Sequence, residues 1–273
     1  MLLQAVFAIY KNEGEAVKIT VLAENTSSGE LPCEHGLSLY IETGAHRLLF
    51  DSGQSGLFAD NAKALGIDLS GADIAVLSHG HYDHGGGLLK FLELNDHAKI
   101  YMSKYAFGQH YNGTEKYIGL APELKKSGRI VFTDGITRIA DGLLLDSGEN
   151  METVLKLGSF GLNMLLDGEF LPDDFRHEHY LIIEENGRRI LISGCSHRGI
   201  NNIEAHFKPD VLIGGFHLSK LAPGKMLSDI AKMLDSYDTD YYSCHCTGVE
   251  QYDFMKNIMR RLKYLSTGMT VIL

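Results

Sequence analysis

The chain has 273 residues, 44% of them hydrophobic, so it is long enough to bury a sizeable core. Its formal net charge of −10 argues against a nucleic-acid partner, although a local basic pocket for an anionic small molecule is compatible with it. No apolar run is long enough for a transmembrane helix, which argues against a membrane partner. The four cysteines favour a reduced, cytoplasmic compartment over a disulfide scaffold. We therefore expect a small-molecule substrate, and the sequence does not predict the oligomeric state.

Short apolar runs between glycine-containing turns predict strands and helices along the whole chain. Residues 1–15 resemble a first strand more than a signal peptide. The first half has predicted strands at residues 17–23, 37–42, 46–50, 73–77, 98–102 and 129–133, and helices at 57–65 and 85–94. The second half has a predicted hairpin of strands 180–184 and 190–193, further strands at 210–214 and 239–243, and helices at about 225–235 and 250–264.

This order of elements predicts a single α/β domain over residues 1–273. The expected architecture is a four-layer αββα sandwich of two mixed β-sheets with external helices. Residues 103–175 are the least regular part of the sequence. A long irregular segment within a compact domain is often a lid or a substrate loop, and the alternative is a surface insertion without a role.

Residues 78–87 read Ser-His-Gly-His-Tyr-Asp-His-Gly-Gly-Gly and follow a predicted buried strand. The surrounding glycines let this segment curl tightly, so that its metal-competent side chains lie close together. These side chains are His79, His81, Asp83 and His84. Imidazole and carboxylate groups suit zinc, iron or manganese, and zinc is the first expectation. The loop therefore predicts a site for two adjacent divalent metal ions.

Chemically competent side chains follow five of the predicted strands. Beside the His loop these are Asp51, the Cys195–His197 pair, His217, and His245 between Cys244 and Cys246. Ligands of open α/β sheets bind at the carboxyl ends of strands, so we expect these residues to meet in one site. Each ion needs a ligand from outside the His loop, and His197 and His245 are the candidates, one for each ion.

The remaining candidates have roles that the sequence leaves open. Asp83 and His217 are the predicted catalytic residues, with His217 either a proton donor or substrate contact, or a structural residue that caps its strand. Asp51 is expected to orient the His loop by hydrogen bonding. Cys195 is either a thiolate ligand or a small buried apolar residue. His177 or His179 could replace His197 as a ligand. Four other histidines are expected to be solvated: His46, His97, His110 and His206.

Two motifs, LLFDSG and LSHGHYDHGGGL, resemble the opening motifs of the metallo-β-lactamase superfamily. ENTSSGELPCEHGLSLYIET, ISGCSHRGINNI, IGGFHL and CHCTG are similar to the subgroup that contains archaeal dihydropterin-ribofuranosylaminobenzene-phosphate synthase. The resemblance implies an αββα sandwich with two metal ions. The superfamily usually has a bridging Asp where this chain has Cys195, and a third His of the first site where His179 stands.

The leading functional hypothesis is a hydrolase that uses a hydroxide bound by two metal ions to attack a phosphorylated or ester-like small molecule. The resemblance implies an alternative, a transferase that joins a pterin methyl-pyrophosphate to an aminobenzene ribofuranosyl phosphate and releases pyrophosphate. A third hypothesis is a metal-containing ligand-binding or sensor protein with little turnover.

Overall fold

Two seven-stranded sheets and one four-stranded sheet form the framework of the computed structural model, which describes residues 16–273. The strands in chain order are β1 (Lys18–Ala23), β2 (Ser38–Glu42), β3 (Arg47–Phe50), β4 (Ile74–Val76), β5 (Lys99–Ser103), β6 (His110–Asn112), β7 (Lys116–Tyr117), β8 (Ile130–Thr133), β9 (Ile136–Ala140), β10 (Leu143–Asp146), β11 (Leu162–Leu166), β12 (Glu169–Pro172), β13 (Tyr180–Glu185), β14 (Arg188–Ser193), β15 (Val211–Gly215), β16 (Asp240–Cys244), β17 (Leu262–Tyr264) and β18 (Thr270–Ile272). The helices are α1 (Leu57–Ala64), α2 (Tyr82–Gly85), α3 (Leu88–Leu94), α4 (Ile200–Phe207), α5 (Lys225–Asp235) and α6 (Val249–Met255).

Both large sheets are mixed. The first has the strand order β18-β1-β2-β3-β4-β5-β8, and the second has the order β17-β16-β15-β14-β13-β10-β9. Strands β3, β4, β5 and β8 are parallel neighbours in the first sheet, as are β14, β15, β16 and β17 in the second. Within each of these parallel sets the carboxyl ends of the strands therefore lie at one edge of the sheet.

Successive residues of the strands point to opposite faces, and this alternation builds the layers. Leu48 belongs to the central core between the large sheets. Its neighbour Leu49 lies in a second cluster with Phe58 of α1, while Leu191 lies in a third cluster with Ile203 of α4. Helices thus cover the outer face of each sheet, and the predicted αββα sandwich is confirmed.

Most predicted strands and the helix at 225–235 lie where the sequence placed them, within one or two residues. The hairpin between β13 and β14 turns through Asn186 and Gly187, whose φ angles are 53° and 75°. Positive φ at both central residues defines the type I′ turn that suits the right-handed twist of a hairpin. The predicted strand at residues 1–15 lies outside the described residues.

Two predicted helices differ from the observed elements. The helix expected at 85–94 begins three residues later, as α3, and is preceded by the single turn α2; Gly86 and Gly87 lie between the two, against the backbone of residues 52–55, where a side chain would not fit. The helix expected at 250–264 ends with α6, and residues 262–264 form the edge strand β17 beside β16. Pairing with a sheet edge is a tertiary contact that local periodicity does not report.

The segment 103–175, predicted to be irregular, contains several short strands. Strands β9 and β10 extend the second large sheet, while β12, β11, β6 and β7 form the separate four-stranded sheet. That the whole chain is one domain, and that this segment contacts substrate, both stay predictions. Among residues 16–273, no helix is long and apolar enough to cross a membrane.

Candidate metal centre

The candidate site lies where strands of both large sheets end. Asp51 follows β3, the His loop follows β4, Cys195 follows β14, His217 follows β15 and His245 follows β16. Hydrogen bonds and short contacts connect all five positions, directly or through a neighbour. The structure therefore brings together the strand-end residues that the sequence singled out.

Left-handed backbone conformations are concentrated at these strand ends. Asp51, Ser196, His217 and His245 have φ angles of 57°, 59°, 50° and 48°. A residue with a side chain is strained in this region, and such strain is often found at functional sites, where the surrounding structure imposes it. At each of these strained positions, either the residue itself or, for Ser196, the adjacent Cys195 and His197 lies in the shared site.

His79, His81 and His197 form the first group, and each offers a ring nitrogen within 4.8 Å of the others. Nδ1 of His79 lies 2.8 Å from Oγ of Ser78, whose own hydroxyl donates to Asp51 over 2.7 Å. His79 must therefore donate through Nδ1, which leaves a lone pair on its Nε2. That Nε2 lies 3.2 Å from Nε2 of His197.

Asp83, His84 and His245 form the second group. Nδ1 of His84 donates to the Asp51 carboxylate over 2.7 Å, and Nδ1 of His245 donates to the amide oxygen of Asn25, also over 2.7 Å. A neutral ring that donates through Nδ1 carries a lone pair on Nε2, and the two Nε2 atoms lie only 3.2 Å apart. Oδ2 of Asp83 lies 3.5 Å from Nε2 of His245. Two ring nitrogens that face each other beside a carboxylate suit a positive charge between them.

Cys195 lies between the two groups. Its Sγ is 3.2 Å from Nε2 of His84 and also lies within 4.8 Å of ligand atoms of His79, of His197 and of His245. Burial, reinforced by neighbouring Cys246, raises the pKa of its thiol well above the ordinary value. A divalent cation would favour the thiolate instead. This central position supports the interpretation of Cys195 as a ligand over that of an apolar filler.

The two groups have the dimensions and chemistry of metal sites. Ligand nitrogens and oxygens at the usual 2.0–2.1 Å from a tetrahedral zinc ion are separated by roughly 3.3 Å. The separations of 3.2 Å and 3.5 Å fit this value. Nε2 of His81 and Nδ1 of His197 are buried without a hydrogen-bond partner. The residues present therefore fit two divalent ions.

Electrostatics agrees with this arrangement. Burial, followed by the neighbouring His84 and His81, lowers the pKa of His79 well below its usual range, which keeps the ring neutral. Burial opposes the charged form of His84, but the attraction and hydrogen bond of Asp51 outweigh it and raise the pKa of His84. For Asp83, burial opposes the ionised form, but the neighbouring histidines, His245 and His35 first, outweigh it and hold the pKa well below its usual range. The loop thus stabilises positive charge next to an ionised carboxylate.

His179 lies outside both groups, although it was one candidate for the third ligand of the first site. Its Nε2 donates to the carbonyl of Leu77 over 2.6 Å, and its Nδ1 lies 3.2 Å from the hydroxyl of Thr133. Burial lowers the pKa of His179 to about 4, so the ring is neutral. Both nitrogens are occupied, so His179 connects the two large sheets, and His197 takes the third position of the first group.

Four residues that support the site were missed. His35 lies 3.1 Å from Oδ2 of Asp83 through its Nε2, and the backbone N–H of His245 donates to Glu24 over 2.6 Å. Asn25 orients the His245 ring, and Glu178 accepts the backbone N–H of His197 over 2.9 Å. Glu24 and Asn25 directly follow β1, so the strand-end rule would have found them. No local signal distinguishes Glu178 or His35.

A cavity of about 300 Å³ opens onto both groups. His217 lines it with both ring nitrogens buried and unpartnered, and its ring centre lies 4.2 Å from that of His197. Ile118 and Leu162 supply an apolar wall, while Lys116 and Lys220 lie on the same cavity. His217 therefore faces the space in which a substrate would contact the metal ligands, and the alternative of a structural strand cap is not supported by any hydrogen bond of its ring.

A second histidine cluster adjoins the first group. The expectation that His110 is solvated was wrong: the ring is buried, and its Nδ1–H donates to Asp173 over 2.8 Å, which offsets the cost of burial. His177 lies on the same carboxylate, with Nε2 3.3 Å from Oδ2 of Asp173. Its Nδ1 accepts the backbone N–H of Gly80 over 2.9 Å, so its hydrogen is on Nε2. Nδ1 of His177 is therefore committed to Gly80 and Nε2 faces Asp173, outside the first group, so His177 does not replace His197.

Comparison with known families agrees with the fold and the His loop. The model of the metallo-beta-lactamase superfamily matches residues 31–237. The chain therefore belongs to the metallo-β-lactamase superfamily, whose members bind divalent metals, often zinc.

Two archaeal relatives and one solved structure are similar over most of their length. The chain is 32% identical over 240 residues to an uncharacterized protein of Methanocaldococcus jannaschii, which covers 84% of this chain and 90% of that protein. It is 30% identical over 282 aligned positions to the 7,8-dihydropterin-6-methyl-4-(beta-D-ribofuranosyl)-aminobenzene-5'-phosphate synthase of the same organism, with 92% and 95% covered. A crystal structure of a metal-dependent hydrolase of the beta-lactamase superfamily matches with a TM-score of 0.81 at 30% identity and covers 94% of this chain and 99% of that chain.

Proposed function

We propose that the chain is a hydrolase that holds two divalent metal ions, zinc in the first instance, and acts on a phosphorylated or ester-like anionic small molecule. The observation that carries the proposal is the pair of Nε2 atoms of His84 and His245, which face each other at 3.2 Å beside Asp83 and Cys195. Outer hydrogen bonds fix both tautomers, and this is how proteins prepare imidazoles for metal binding.

The division of ligands follows the two groups. His79, His81 and His197 would hold one ion, and Asp83, His84 and His245 would hold the other. Cys195 has its sulfur within reach of both groups, in the place where the superfamily usually has an Asp. Two divalent ions at such a site lower the pKa of a bound water and neutralise charge on a phosphoryl or carbonyl oxygen.

The protein side chains supply orientation and proton transfer. Asp83 is held in its ionised form by His245 and His35, so it can orient a water molecule as well as bind an ion. His217 has both ring nitrogens free of protein partners at the cavity, which suits a donor that protonates a leaving group. The apolar wall of Ile118 and Leu162 would exclude bulk water from the leaving-group side.

Two lysines support an anionic substrate. Nζ of Lys116 lies 3.4 Å from the Tyr82 hydroxyl and over the Tyr82 ring, and Nζ of Lys220 donates to the carbonyl of Phe160 over 2.7 Å. Within residues 16–273 neither lysine has a carboxylate partner, although the chain has an excess of acidic residues. Uncompensated cations on the cavity that contains the candidate metal ligands favour a substrate with negative charge.

The test combines metal analysis with a turnover screen. Protein purified without chelator is expected to contain two divalent ions per chain and to turn over at least one of three classes: phosphoesters, lactones or pterin pyrophosphates. Lys220→Ala should raise KM for an anionic substrate more than it lowers kcat, whereas His217→Ala should lower kcat. Fewer than one ion per chain together with no product from any class would contradict the proposal.

The transferase is the second candidate, because the Methanocaldococcus jannaschii synthase is 30% identical to this chain over 95% of its own length. A transferase would release pyrophosphate only when both a pterin methyl-pyrophosphate and an aminobenzene ribofuranosyl phosphate are present. A hydrolase would release product from a single substrate and water. Tight binding of a ligand without any product would favour the third hypothesis, a sensor.

We infer a small molecule as the partner, and the net charge of −10 argues against nucleic acid. All four cysteines are unpaired, which supports a reducing, cytoplasmic compartment.

A further inference from the structure

His81 differs from the other histidines of the His loop in how its ring is oriented. Nδ1 of His79 donates to Ser78, and Nδ1 of His84 donates to Asp51. Within the described part of the chain, no hydrogen bond of this kind holds the His81 ring, whose Nε2 is buried and unpartnered. The direction of His81 therefore depends on the backbone on either side of it.

That backbone is held from both sides by groups outside the two large sheets. The N–H of Gly80 donates to Nδ1 of His177 over 2.9 Å, and the N–H of Tyr82 donates to the carbonyl of Ile118, also over 2.9 Å. A side chain at Gly80 would meet the carbonyl oxygen of Ala106 at 2.1 Å, so this segment packs directly on the loop. Ala106 and Ile118 both belong to the segment 103–175.

Asp173 determines which nitrogen of His177 faces Gly80. The carboxylate lies 3.3 Å from Nε2 of His177 and accepts Nδ1–H of His110 over 2.8 Å, while its other oxygen accepts the N–H of Phe175 over 2.9 Å. A carboxylate can only accept, so it favours the tautomer of His177 with hydrogen on Nε2. Nδ1 is then the acceptor that the Gly80 amide needs. Burial opposes the ionised form of Asp173, but the hydrogen bonds of His110 and His177 outweigh it and lower its pKa.

We propose that His110, Asp173 and His177 are positioning residues for His81, and that the segment 103–175 shapes the metal loop. This rests on the proposed metal centre. The carboxylate of Asp173 sets the tautomer of His177, His177 fixes the Gly80 amide, and Gly80 sets the direction of His81. The effect is confined to the ion held by His79, His81 and His197, because the ligands of the other ion are oriented by Asp51 and Asn25.

The experiment titrates zinc into metal-free protein and follows both binding steps by calorimetry. Asp173→Asn removes the acceptor that fixes the His177 tautomer, and is expected to weaken one binding step by about 10–100-fold, as losses of such outer partners do. The other step should stay within about twofold of wild type, because its ligands are independent. Asp174→Asn is the matched control, since it changes an exposed carboxylate one residue away that pairs with Arg176, and it should leave both steps unchanged.

A second variant covers the case in which Asp173→Asn does not fold. His110→Gln leaves the carboxylate in place but removes the imidazole that donates to it, and is expected to weaken the same step to a smaller extent. Equal weakening of both steps, or no weakening of either by both variants, would overturn the positioning proposal while the metal centre stands. Wild-type protein that binds no zinc would overturn the proposed function, and this proposal with it.

Discussion

Two clusters of buried histidines lie side by side in this protein, and they use their protons in opposite ways. In the candidate metal centre, Asp51 and Asn25 take the Nδ1 hydrogens of His84 and His245, so the Nε2 lone pairs converge. In the neighbouring cluster, Asp173 lies between His110 and His177: it accepts the Nδ1 hydrogen of His110, and its Oδ2 lies 3.3 Å from Nε2 of His177. The partner of Nδ1 decides the difference: in the first cluster Nδ1 of His84 and of His245 donates to an outer acceptor, whereas Nδ1 of His177 accepts from the Gly80 amide.

This comparison shows why proximity alone does not identify a metal centre. His81, His110, Asp173 and His177 also lie within 4.8 Å of one another, as metal ligands would. The Gly80 amide, however, donates to Nδ1 of His177. The hydrogen of the neutral His177 ring is therefore on Nε2, which faces Asp173 without a lone pair for a metal ion. We therefore assign the metal ions to the first cluster and a positioning role to the second.

Removal of a ligand from the first cluster should have the largest effect. Asp83→Ala eliminates the carboxylate beside His245 and is expected to lose one ion and nearly all turnover of whichever substrate the screen identifies. Metal analysis and steady-state rates on folded protein measure this. Asp96→Ala, which removes a fully exposed carboxylate, is the control. Full activity in the Asp83→Ala variant would show that Asp83 is neither a metal ligand nor a catalytic residue.

His179 belongs to neither cluster, and we expect its substitution to change the stability of the fold rather than metal binding. Its pKa of about 4 lies below the unfolded value of about 6.5, so its neutral form contributes stability above pH 6.5 that is lost as the pH falls toward 4. The loss amounts to about 3 kcal/mol for a shift of this size. Urea denaturation between pH 7 and 4 should show that His179→Gln is less stable than wild type at pH 7 and loses less stability on acidification. Its zinc binding should match wild type, and loss of zinc would return His179 to the ligand set.

Asp51→Asn tests the outer carboxylate of the first cluster. The carboxylate of Asp51 accepts three hydrogen bonds, from the Ser78 N–H, the Ser78 hydroxyl and Nδ1 of His84. An amide has only one accepting oxygen, so it cannot make all three, and the His84 tautomer is no longer fixed. Zinc affinity is expected to fall about 10–100-fold, which competition with a chromophoric chelator can measure. Ser38→Ala removes a buried hydroxyl that bonds only the carbonyl of Asp51, and should retain zinc. Unchanged affinity in Asp51→Asn would show that tautomer control is not what prepares this site.

The smallest effect is expected for His35→Ala. His35 contacts Asp83 over 3.1 Å, but more than half of its side chain is exposed, and exposed charge pairs contribute about 0.2–1 kcal/mol. Zinc affinity should therefore fall by at most about fivefold. The same chelator competition applies, and a loss as large as that of Asp51→Asn would make His35 a ligand.

Local patterns predicted the parts of the site that are close in sequence or at strand ends. The His loop, Asp51, Cys195, His197, His217 and His245 all meet as expected, because the carboxyl ends of neighbouring strands share an edge. The same rule applied to β1 would have included Glu24 and Asn25. It could not include His35, which lies between β1 and β2 and reaches Asp83 only through the tertiary fold.

The second cluster and the small sheet were not predictable in this way. His110 and Asp173 are 63 residues apart and look like ordinary polar residues in their local context. Strands β6 and β7 have only three and two residues, too few for an alternating pattern to be recognised. The helix expected at 250–264 was wrong past α6 because Leu262 and its neighbours pair with β16 instead.

Crystals grown with zinc and measured at the zinc absorption edge would test the central assignment most directly. We expect two anomalous peaks, one among His79, His81 and His197 and the other among Asp83, His84 and His245, with the sulfur of Cys195 beside them. A peak between His110, Asp173 and His177, or no peak within either predicted ligand set, would contradict this assignment.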